Sequence, residues 1–144
     1  MAMIRAAVRG RKEFKASPIE LRRRGISYTV DTLKTFKKRF PETEMVLILG
    51  ADNLMQFQTW KSPKTILRLA SLAVYKRKGF HRALSTTTLN YSVLKGPMLR
   101  LSSTAIRTRI ARGLSIHTLV PKSIEQYIKQ HVLYSKTAPP IVKR

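Results

Sequence analysis

A continuous apolar run, Met45-Val46-Leu47-Ile48-Leu49, ends at Gly50 and sets the expected architecture of this chain. A run of this length bounded by turn residues is typical of a strand that is buried on both faces, as in a parallel sheet. A membrane-spanning helix would need about 20 apolar residues, and this run is far shorter. The run therefore predicts a central strand, and no membrane partner is expected.

Other elements alternate with this strand along the chain. Helical spacing, capping residues and prolines predict helices at Met1–Val8, at Thr29–Phe40, from Ser62-Pro63 onward, at Ser103–Arg112 and from Pro121 through Leu133. Short apolar segments predict strands at Phe14–Ala16, Leu72–Tyr75 and Met98–Leu101, whereas Arg77–Gly96 has the weak periodicity of a loop. Thr29 is the expected N-cap of its helix. Strands that alternate with helices predict an α/β fold with a mainly parallel sheet.

Apolar positions on the later helices are expected to face the core. They are Ile66, Leu67, Leu69 and Ala70, then Ile106 and Ile110, then Ile124, Tyr127, Ile128 and Val132. Residues Ser135–Arg144 are basic and contain prolines, which predicts a flexible tail after the last helix.

The charge balance is unusual and bears on the partners of the chain. There are 29 Lys and Arg residues against seven Asp and Glu, which gives a net charge of +22. A field of this sign attracts nucleic acid, anionic membrane surfaces or phosphorylated small molecules. The absence of cysteine excludes disulfides, thiolate metal sites and a cysteine nucleophile, and it makes the cytoplasm the simplest compartment.

A cluster of hydroxyl groups and an arginine follows the third predicted strand. Ser102, Ser103 and Thr104 lie at a strand-to-helix turn, and Arg107 lies one turn into the helix. Backbone N–H groups at the helix start, the hydroxyls and the guanidinium together could cradle a phosphate. The same residues would also occur in an ordinary N-cap followed by a surface arginine, so local chemistry leaves both interpretations open.

Three further features could serve a nucleotide ligand. Gly50 and Asp52 follow the apolar strand, where a carboxylate can accept hydrogen bonds from ribose hydroxyls, although Asp52 could equally cap a short helix at Asn53–Phe57. Trp60, the only tryptophan, could stack on a heteroaromatic ring or cover the core. Ser27-Tyr28-Thr29 could hold a carboxylate or an amide, or simply cap the following helix.

Several common catalytic patterns are absent from the sequence. It contains no P-loop and no GxGxxG motif, and its seven acidic residues are too dispersed to indicate a paired-carboxylate mechanism. The histidines have neither metal-ligand nor catalytic-pair spacing and are expected to be surface or cap residues: His81, His117 and His131.

Three segments, in this order, resemble bacterial nicotinate-nucleotide adenylyltransferases. They are Ser27–Leu33 (SYTVDTL), Ile48–Asp52 (ILGAD) and Phe57–Pro63 (FQTWKSP). A fourth segment, Ser102–Arg107 (SSTAIR), resembles the ISSTxIR signature of the wider nucleotidyltransferase superfamily, with Leu101 in place of the usual isoleucine. The resemblance extends from about Met3 to Tyr134. It implies the C-terminal part of a Rossmann-like nucleotidyltransferase fold, with residues 1–134 forming a partial domain.

The resemblance also implies a reaction and a set of binding residues. AMP would pass from ATP to nicotinate mononucleotide, which gives deamido-NAD and pyrophosphate. The residues that would bind nicotinate mononucleotide are Ser27, Tyr28, Thr29 and Trp60. Those that would bind ATP are Gly50, Asp52, Ser102, Ser103, Thr104 and Arg107. Mg²⁺ is expected to accompany ATP without dedicated protein ligands, and nicotinamide mononucleotide or pantetheine phosphate are alternative acceptors.

One departure from the family pattern is large. The HxGH-type motif, whose histidines contact the phosphates in this family, has no counterpart in the sequence, so no catalytic residue is assigned. We expect a chain without that N-terminal segment to be nearly inactive alone and to expose the strand at Met45–Leu49. Two alternatives stay open: a basic module that binds nucleic acid non-specifically, and a non-catalytic remnant that serves as an interaction partner.

Overall fold

The computed structural model of the protein describes residues 1–75, 88–97 and 101–135. The chain divides into two compact units, which we call the sheet unit, Ile19–Arg100, and the helical unit, Met1–Pro18 with Leu101–Arg144. Within the described ranges, every helix is too short or too polar to span a bilayer. His81, the predicted strand at Met98–Leu101 except Leu101, and the predicted tail except Ser135 lie outside these ranges.

Helices and strands alternate along the chain as the α/β pattern predicts. In chain order, the elements within the described ranges are α1 Ala2–Val8, α2 Thr29–Arg39, β1 Val46–Gly50, α3 Ala51–Met55, a 3-10 helix Phe57–Thr59, α4 Pro63–Leu69, β2 Ser71–Tyr75, β3 Ser92–Leu94, α5 Ser103–Ala111 and α6 Lys122–Gln130.

The strands of the sheet unit form one parallel sheet in the order β1-β2-β3. Leu49 of β1 lies opposite Val74 of β2, and Val74 lies opposite Val93 of β3. Because all three strands run in the same direction, their carboxyl ends meet at one edge of the sheet. This is the edge at which open α/β sheets usually hold ligands.

The core of the sheet unit lies between this sheet and its helices. Its largest fully buried side chains are Phe57, Ile66, Val30 and Val74. The central strand β2 buries three consecutive residues, Leu72–Val74, because it has a strand on each side and helices packed against it. Continuous burial of this kind is typical of the middle strand of a parallel sheet.

The prediction that the Met45–Leu49 strand is buried on both faces is wrong for β1. Val46 is 60% exposed and Ile48 is 65% exposed, whereas Leu49 is buried. Within the described residues, β1 is an edge strand that pairs with β2, and helices cover one of its faces. The exposure expected for this strand is therefore observed at Val46 and Ile48.

Three local predictions in the sheet unit are also corrected. Tyr28, not Thr29, is the N-cap of α2, because Thr29 already has helical geometry. Leu67 of α4 is exposed rather than part of the core. Part of the predicted loop at Arg77–Gly96 forms the strand β3, which is held by backbone pairing with β2 rather than by an apolar pattern of its own.

The helical unit has a separate small core. Ile116, Ile124 and Ile128 are buried, and Ile106 and Ile110 of α5 pack against them, as predicted for their helices. Gly113, at φ +70°, ends α5 in the left-handed conformation that glycine adopts most readily.

Two predictions in the helical unit are wrong: a strand at Phe14–Ala16 and the end of the last helix at Leu133. No strand forms at Phe14–Ala16, and Phe14 is exposed. The last helix ends at Gln130 rather than at Leu133, because the chain leaves helical geometry at Val132, where φ is +48°. Val132 is consequently exposed and not part of the core.

Candidate functional site

A cavity of about 270 Å³ lies at the start of α2 in the sheet unit. The residues that line it are Ser27, Tyr28, Thr29, Thr59, Trp60, Lys61 and Ile66. The four residues that the sequence predicts for the mononucleotide, Ser27 to Thr29 and Trp60, therefore surround one cavity, although two separate segments of the chain supply them.

The start of α2 gives this cavity a set of backbone donors. Tyr28 is extended, with φ −100° and ψ 143°, and its carbonyl accepts hydrogen bonds from the N–H groups of Asp31 and Thr32 at 3.0 and 3.3 Å. Val30 is buried in the core and fixes the first turn of the helix. The N–H groups of Thr29 and Val30 precede these bonds and have no intrahelical acceptor, so this helix start can bind an anionic or carbonyl group.

Trp60 is positioned by the 3-10 helix before it. The backbone N–H of Trp60 donates to the carbonyl of Phe57 at 3.1 Å. The ring centroids of Phe57 and Trp60 are 5.6 Å apart with an interplanar angle of 44°, and Phe57 is fully buried. The indole is half-buried against this anchor while it borders the cavity, so it offers a rigid aromatic surface to a ligand.

Among the described residues that line the cavity, Lys61 is the only charged one. Its ammonium lies 4.1 Å from the centroid of the Tyr28 ring, which is cation–π geometry. The contact joins the loop after the 3-10 helix to the start of α2. The sequence prediction assigned no role to Lys61, because nothing in the local pattern shows that it meets Tyr28. Its position makes the cavity complementary to a negatively charged group.

Gly50 and Asp52 lie at the carboxyl end of β1. Gly50 is the N-cap of α3, and Asp52 lies in the first turn of that helix, where the positive end of the helix dipole favours a carboxylate. The alternative that Asp52 itself caps a helix at Asn53–Phe57 is therefore wrong. Asp52 is half-buried at the sheet edge at which α/β folds bind ligands.

The hydroxyl and arginine cluster lies at the start of α5 in the helical unit. Ser102 is the N-cap, and its Oγ accepts a hydrogen bond from the N–H of Ala105 at 3.1 Å. Arg107 Nη2 donates to Thr104 Oγ1 at 3.3 Å, and Ser103, Thr104 and Arg107 are all exposed. Ser102 thus acts as the ordinary cap that was one of the two interpretations, while the neighbouring donors stay accessible to a phosphate.

The two histidines in the described ranges, His117 and His131, have structural surroundings rather than a shared site. His117 Nδ1 lies 3.1 Å from Oε2 of Glu125, and His131 is the C-cap of α6. The pKa of the Glu125 carboxyl lies below its usual value of 4.5. The first cause is the ammonium of Lys129, which donates to Glu125 Oε1 at 2.7 Å, and the second is the hydrogen bond with His117. Across residues 1–75, 88–97 and 101–135, no three His, Asp or Glu side chains form a group that could hold a metal ion.

Comparison with known proteins accounts for most of the chain. A Cytidylyltransferase-like family model matches residues 1–109. Probable nicotinate-nucleotide adenylyltransferases of Salinibacter ruber and Exiguobacterium sibiricum are 35% and 36% identical to it over 139 and 135 residues. These matches cover 95% and 94% of this chain and 71% of each relative. The chain belongs to the nicotinate-nucleotide adenylyltransferase family.

Solved structures agree with this family at the level of the fold. The chain matches Plasmodium falciparum nicotinic acid mononucleotide adenylyltransferase complexed with APC with a TM-score of 0.61 at 21% identity. The match covers 77% of this chain and 60% of the solved chain. A second structure of that enzyme, complexed with NaAD, gives a TM-score of 0.60 at 22% identity. The predicted Rossmann-like nucleotidyltransferase fold is therefore confirmed.

Proposed function

We propose that this chain serves the transfer of AMP from ATP to nicotinate mononucleotide, with deamido-NAD and pyrophosphate as products. A phosphate oxygen of the mononucleotide attacks the α-phosphorus of ATP, and the bond from that phosphorus to the leaving pyrophosphate breaks. The observation that carries the proposal is the cavity in which Ser27-Tyr28-Thr29 meets Trp60 and Lys61. The names of the relatives support it.

The cavity is chemically suited to the nicotinate end of the acceptor. The N–H groups at the start of α2 and the hydroxyl of Thr29 can donate to a carboxylate. Tyr28 and Trp60 supply aromatic surface for a pyridine ring, which is flat and apolar on its faces. Lys61 adds a positive charge at the rim, so the site combines stacking with anion recognition.

Lys61 favours the acid form of the acceptor over the amide. A carboxylate about 5 Å from an ammonium gains about 1–3 kcal/mol at effective dielectric constants of roughly 80 to 20. Because Lys61 is exposed, we take about 1.4 kcal/mol, which is near the lower end of this range and corresponds to roughly tenfold in affinity. A neutral carboxamide at the same position gains nothing comparable, so nicotinamide mononucleotide should bind more weakly.

We assign the ATP phosphates to the start of α5 in this proposal. Ser103, Thr104 and Arg107 present hydroxyl and guanidinium donors beside the first-turn N–H groups, and such donors stabilise charge that develops on phosphate oxygens. Gly50 and Asp52 would contact the nucleoside part of ATP. Mg²⁺ enters as part of the substrate with ATP, and the cytoplasm is the compartment we infer because ATP is consumed.

Titration of the intact chain tests the proposal directly. Trp60 is the only tryptophan, so its fluorescence reports ligands that enter this cavity. Nicotinate mononucleotide should quench it at roughly tenfold lower concentration than the amide does. Lys61→Met should weaken binding of the acid roughly tenfold and leave binding of the amide unchanged. Lys64→Met is the matched control, because Lys64 is exposed on α4 and does not line the cavity.

Two results would count against this function. If nicotinate mononucleotide does not bind at all, the assignment of the cavity as the acceptor site is wrong. If Lys61→Met weakens binding of both mononucleotides equally, the charge of Lys61 does not select the acid. Chromatographic detection of deamido-NAD with ATP and Mg²⁺ measures turnover separately from binding. Formation of NAD from nicotinamide mononucleotide, without deamido-NAD from the acid, would assign the alternative acceptor.

The net charge of +22 supports a second candidate, non-specific binding of nucleic acid. Such binding depends steeply on salt, because neutralising each phosphate releases counterions. A labelled oligonucleotide should therefore bind much more weakly at 200 mM than at 50 mM salt if this candidate is correct, as is typical of non-specific complexes. Steep salt dependence without affinity for nicotinate mononucleotide would favour it over adenylyl transfer.

A further inference from the structure

The segment that precedes α2 is fastened to that helix by hydrogen bonds centred on Glu20. Thr32 Oγ1 donates to Glu20 Oε1 at 2.9 Å. Arg23 Nη1 donates to the same Thr32 oxygen at 3.3 Å. Ser27 Oγ donates to the backbone carbonyl of Glu20 at 3.1 Å. Glu20 therefore holds both the helix, through its side chain, and the cavity residue Ser27, through its backbone.

Apolar packing contributes little to the position of this segment. Leu21 is 70% exposed and Ile26 is 72% exposed, so neither side chain anchors the segment in the core. Gly25, at φ +81°, supplies the turn that brings the chain back to Ser27. Packing resumes at Tyr28, which contacts the core of the sheet unit. The hydrogen bonds of Glu20 are thus the main described constraint on residues 20–27, and few buried contacts mean easy local opening.

Glu20 acts on the cavity from outside it. Glu20 lines a different cavity, of about 450 Å³, together with residues of α2 and β1. Thr29 and Thr32, three positions apart on α2, border that second cavity, and Thr29 also lines the first. Glu20 can therefore influence the acceptor cavity only through Ser27 and the start of α2, without touching a ligand there.

We propose that Glu20 is a positioning residue that pre-organises the acceptor cavity. With Thr32 as its partner, it holds Ser27 and the residues leading into α2 in the conformation that offers donors to the nicotinate carboxylate. This inference rests on the proposed function. Without Glu20, ordering the segment would have to accompany binding, so affinity would fall while the rest of the fold stays intact.

The substitutions that test this role separate charge from hydrogen bonding. Glu20→Ala removes the acceptor, whereas Glu20→Gln keeps a carbonyl oxygen for Thr32 and removes only the charge. Thr32→Val removes the donor with little change in shape. Glu44→Ala is the matched control, because it removes one exposed acid, as Glu20→Ala does, from a residue that lines neither cavity.

Four measurements on the 144-residue chain give the expected pattern. Glu20→Ala and Thr32→Val should each weaken the binding of nicotinate mononucleotide roughly tenfold, as measured by Trp60 fluorescence. ATP affinity and the urea midpoint should hardly change. Both variants should speed tryptic cleavage at Arg22–Arg24, measured by mass spectrometry. The affinity of Glu20→Gln for nicotinate mononucleotide should stay within about threefold of the parent value, and the affinity of Glu44→Ala should equal the parent value.

The outcomes distinguish this inference from the function on which it rests. If the parent chain does not bind nicotinate mononucleotide, the proposed function fails, and cleavage of Thr32→Val still decides whether the network holds the segment. If the parent binds but Glu20→Ala and Thr32→Val bind equally well, the positioning role is wrong. A lower urea midpoint with equal losses for both ligands would also overturn it, because that pattern is general destabilisation.

Discussion

Replacement of Phe57 tests the core that supports the candidate cavity. Phe57 is 0% exposed and packs against Trp60 with ring centroids 5.6 Å apart. A buried phenylalanine removes about 150–250 Å² from water, which at about 25 cal/mol per Å² is about 4–6 kcal/mol. Alanine keeps part of this burial, and large-to-small substitutions of this kind cost about 3–5 kcal/mol. Phe57→Leu should cost about 1 kcal/mol, because it nearly conserves volume.

Urea unfolding followed by Trp60 fluorescence measures this cost in the sheet unit itself. With a slope of about 1.5 kcal/mol per M, Phe57→Ala should lower the midpoint by roughly 2–3 M and Phe57→Leu by about 0.7 M. Phe14→Ala is the matched control. Phe14 is 56% exposed, so its loss should change stability by less than about 0.5 kcal/mol. Equal midpoints for the two alanine variants would refute the assignment of Phe57 to the core.

Three further predictions concern charge, backbone and exposure. Hydrogen bonds from Lys129, then His117, lower the folded-state pKa of Glu125 below 4.5, so the stability they contribute is present above that pH and is lost as pH falls through the folded-state pKa. Glu125→Gln should flatten this acid dependence in thermal melts followed by circular dichroism between neutral pH and about pH 3. Gly113→Ala should cost about 1 kcal/mol in urea unfolding, because φ there is +70°. Ile48→Thr should change stability by less than about 0.5 kcal/mol despite its place in an apolar run, and a larger loss would mean that its face is covered.

The sequence was a good guide where local signals decide structure. The helix of Ser62-Pro63 and the strand at Ser71–Tyr75 depend on proline placement and on a short apolar run, and both are found close to their predicted bounds. Gly113 ends α5 as predicted, because glycine takes up positive φ at little cost. The resemblance of several segments to one family then predicted the Rossmann-like fold, which local signals alone do not specify.

The remaining differences depend on neighbours that no local pattern reveals. The three-residue strand β3 exists because β2 offers it a backbone partner, and its own sequence reads as loop. Ile48 is as apolar as Leu49, yet its exposure depends on what packs against β1. The meeting of Lys61 with Tyr28 and the link from Glu20 to Thr32 join distant parts of the chain.

The charge of this chain and its candidate sites act at different ranges. A net charge of +22 attracts any anion, so it can speed the approach of both mononucleotides and of ATP without choosing among them. Selection requires donors fixed in position, and the structure supplies these at helix starts, where backbone N–H groups are already aligned. At the start of α2, Tyr28 is the N-cap and Lys61 packs its ammonium against the Tyr28 ring. The hydrogen bond from Ser27 to the Glu20 carbonyl holds the segment that leads into the helix. Removing exposed lysines other than Lys61 should therefore slow binding of all these anions, whereas changing Tyr28, Lys61 or Glu20 should alter which mononucleotide is preferred or how tightly it is held.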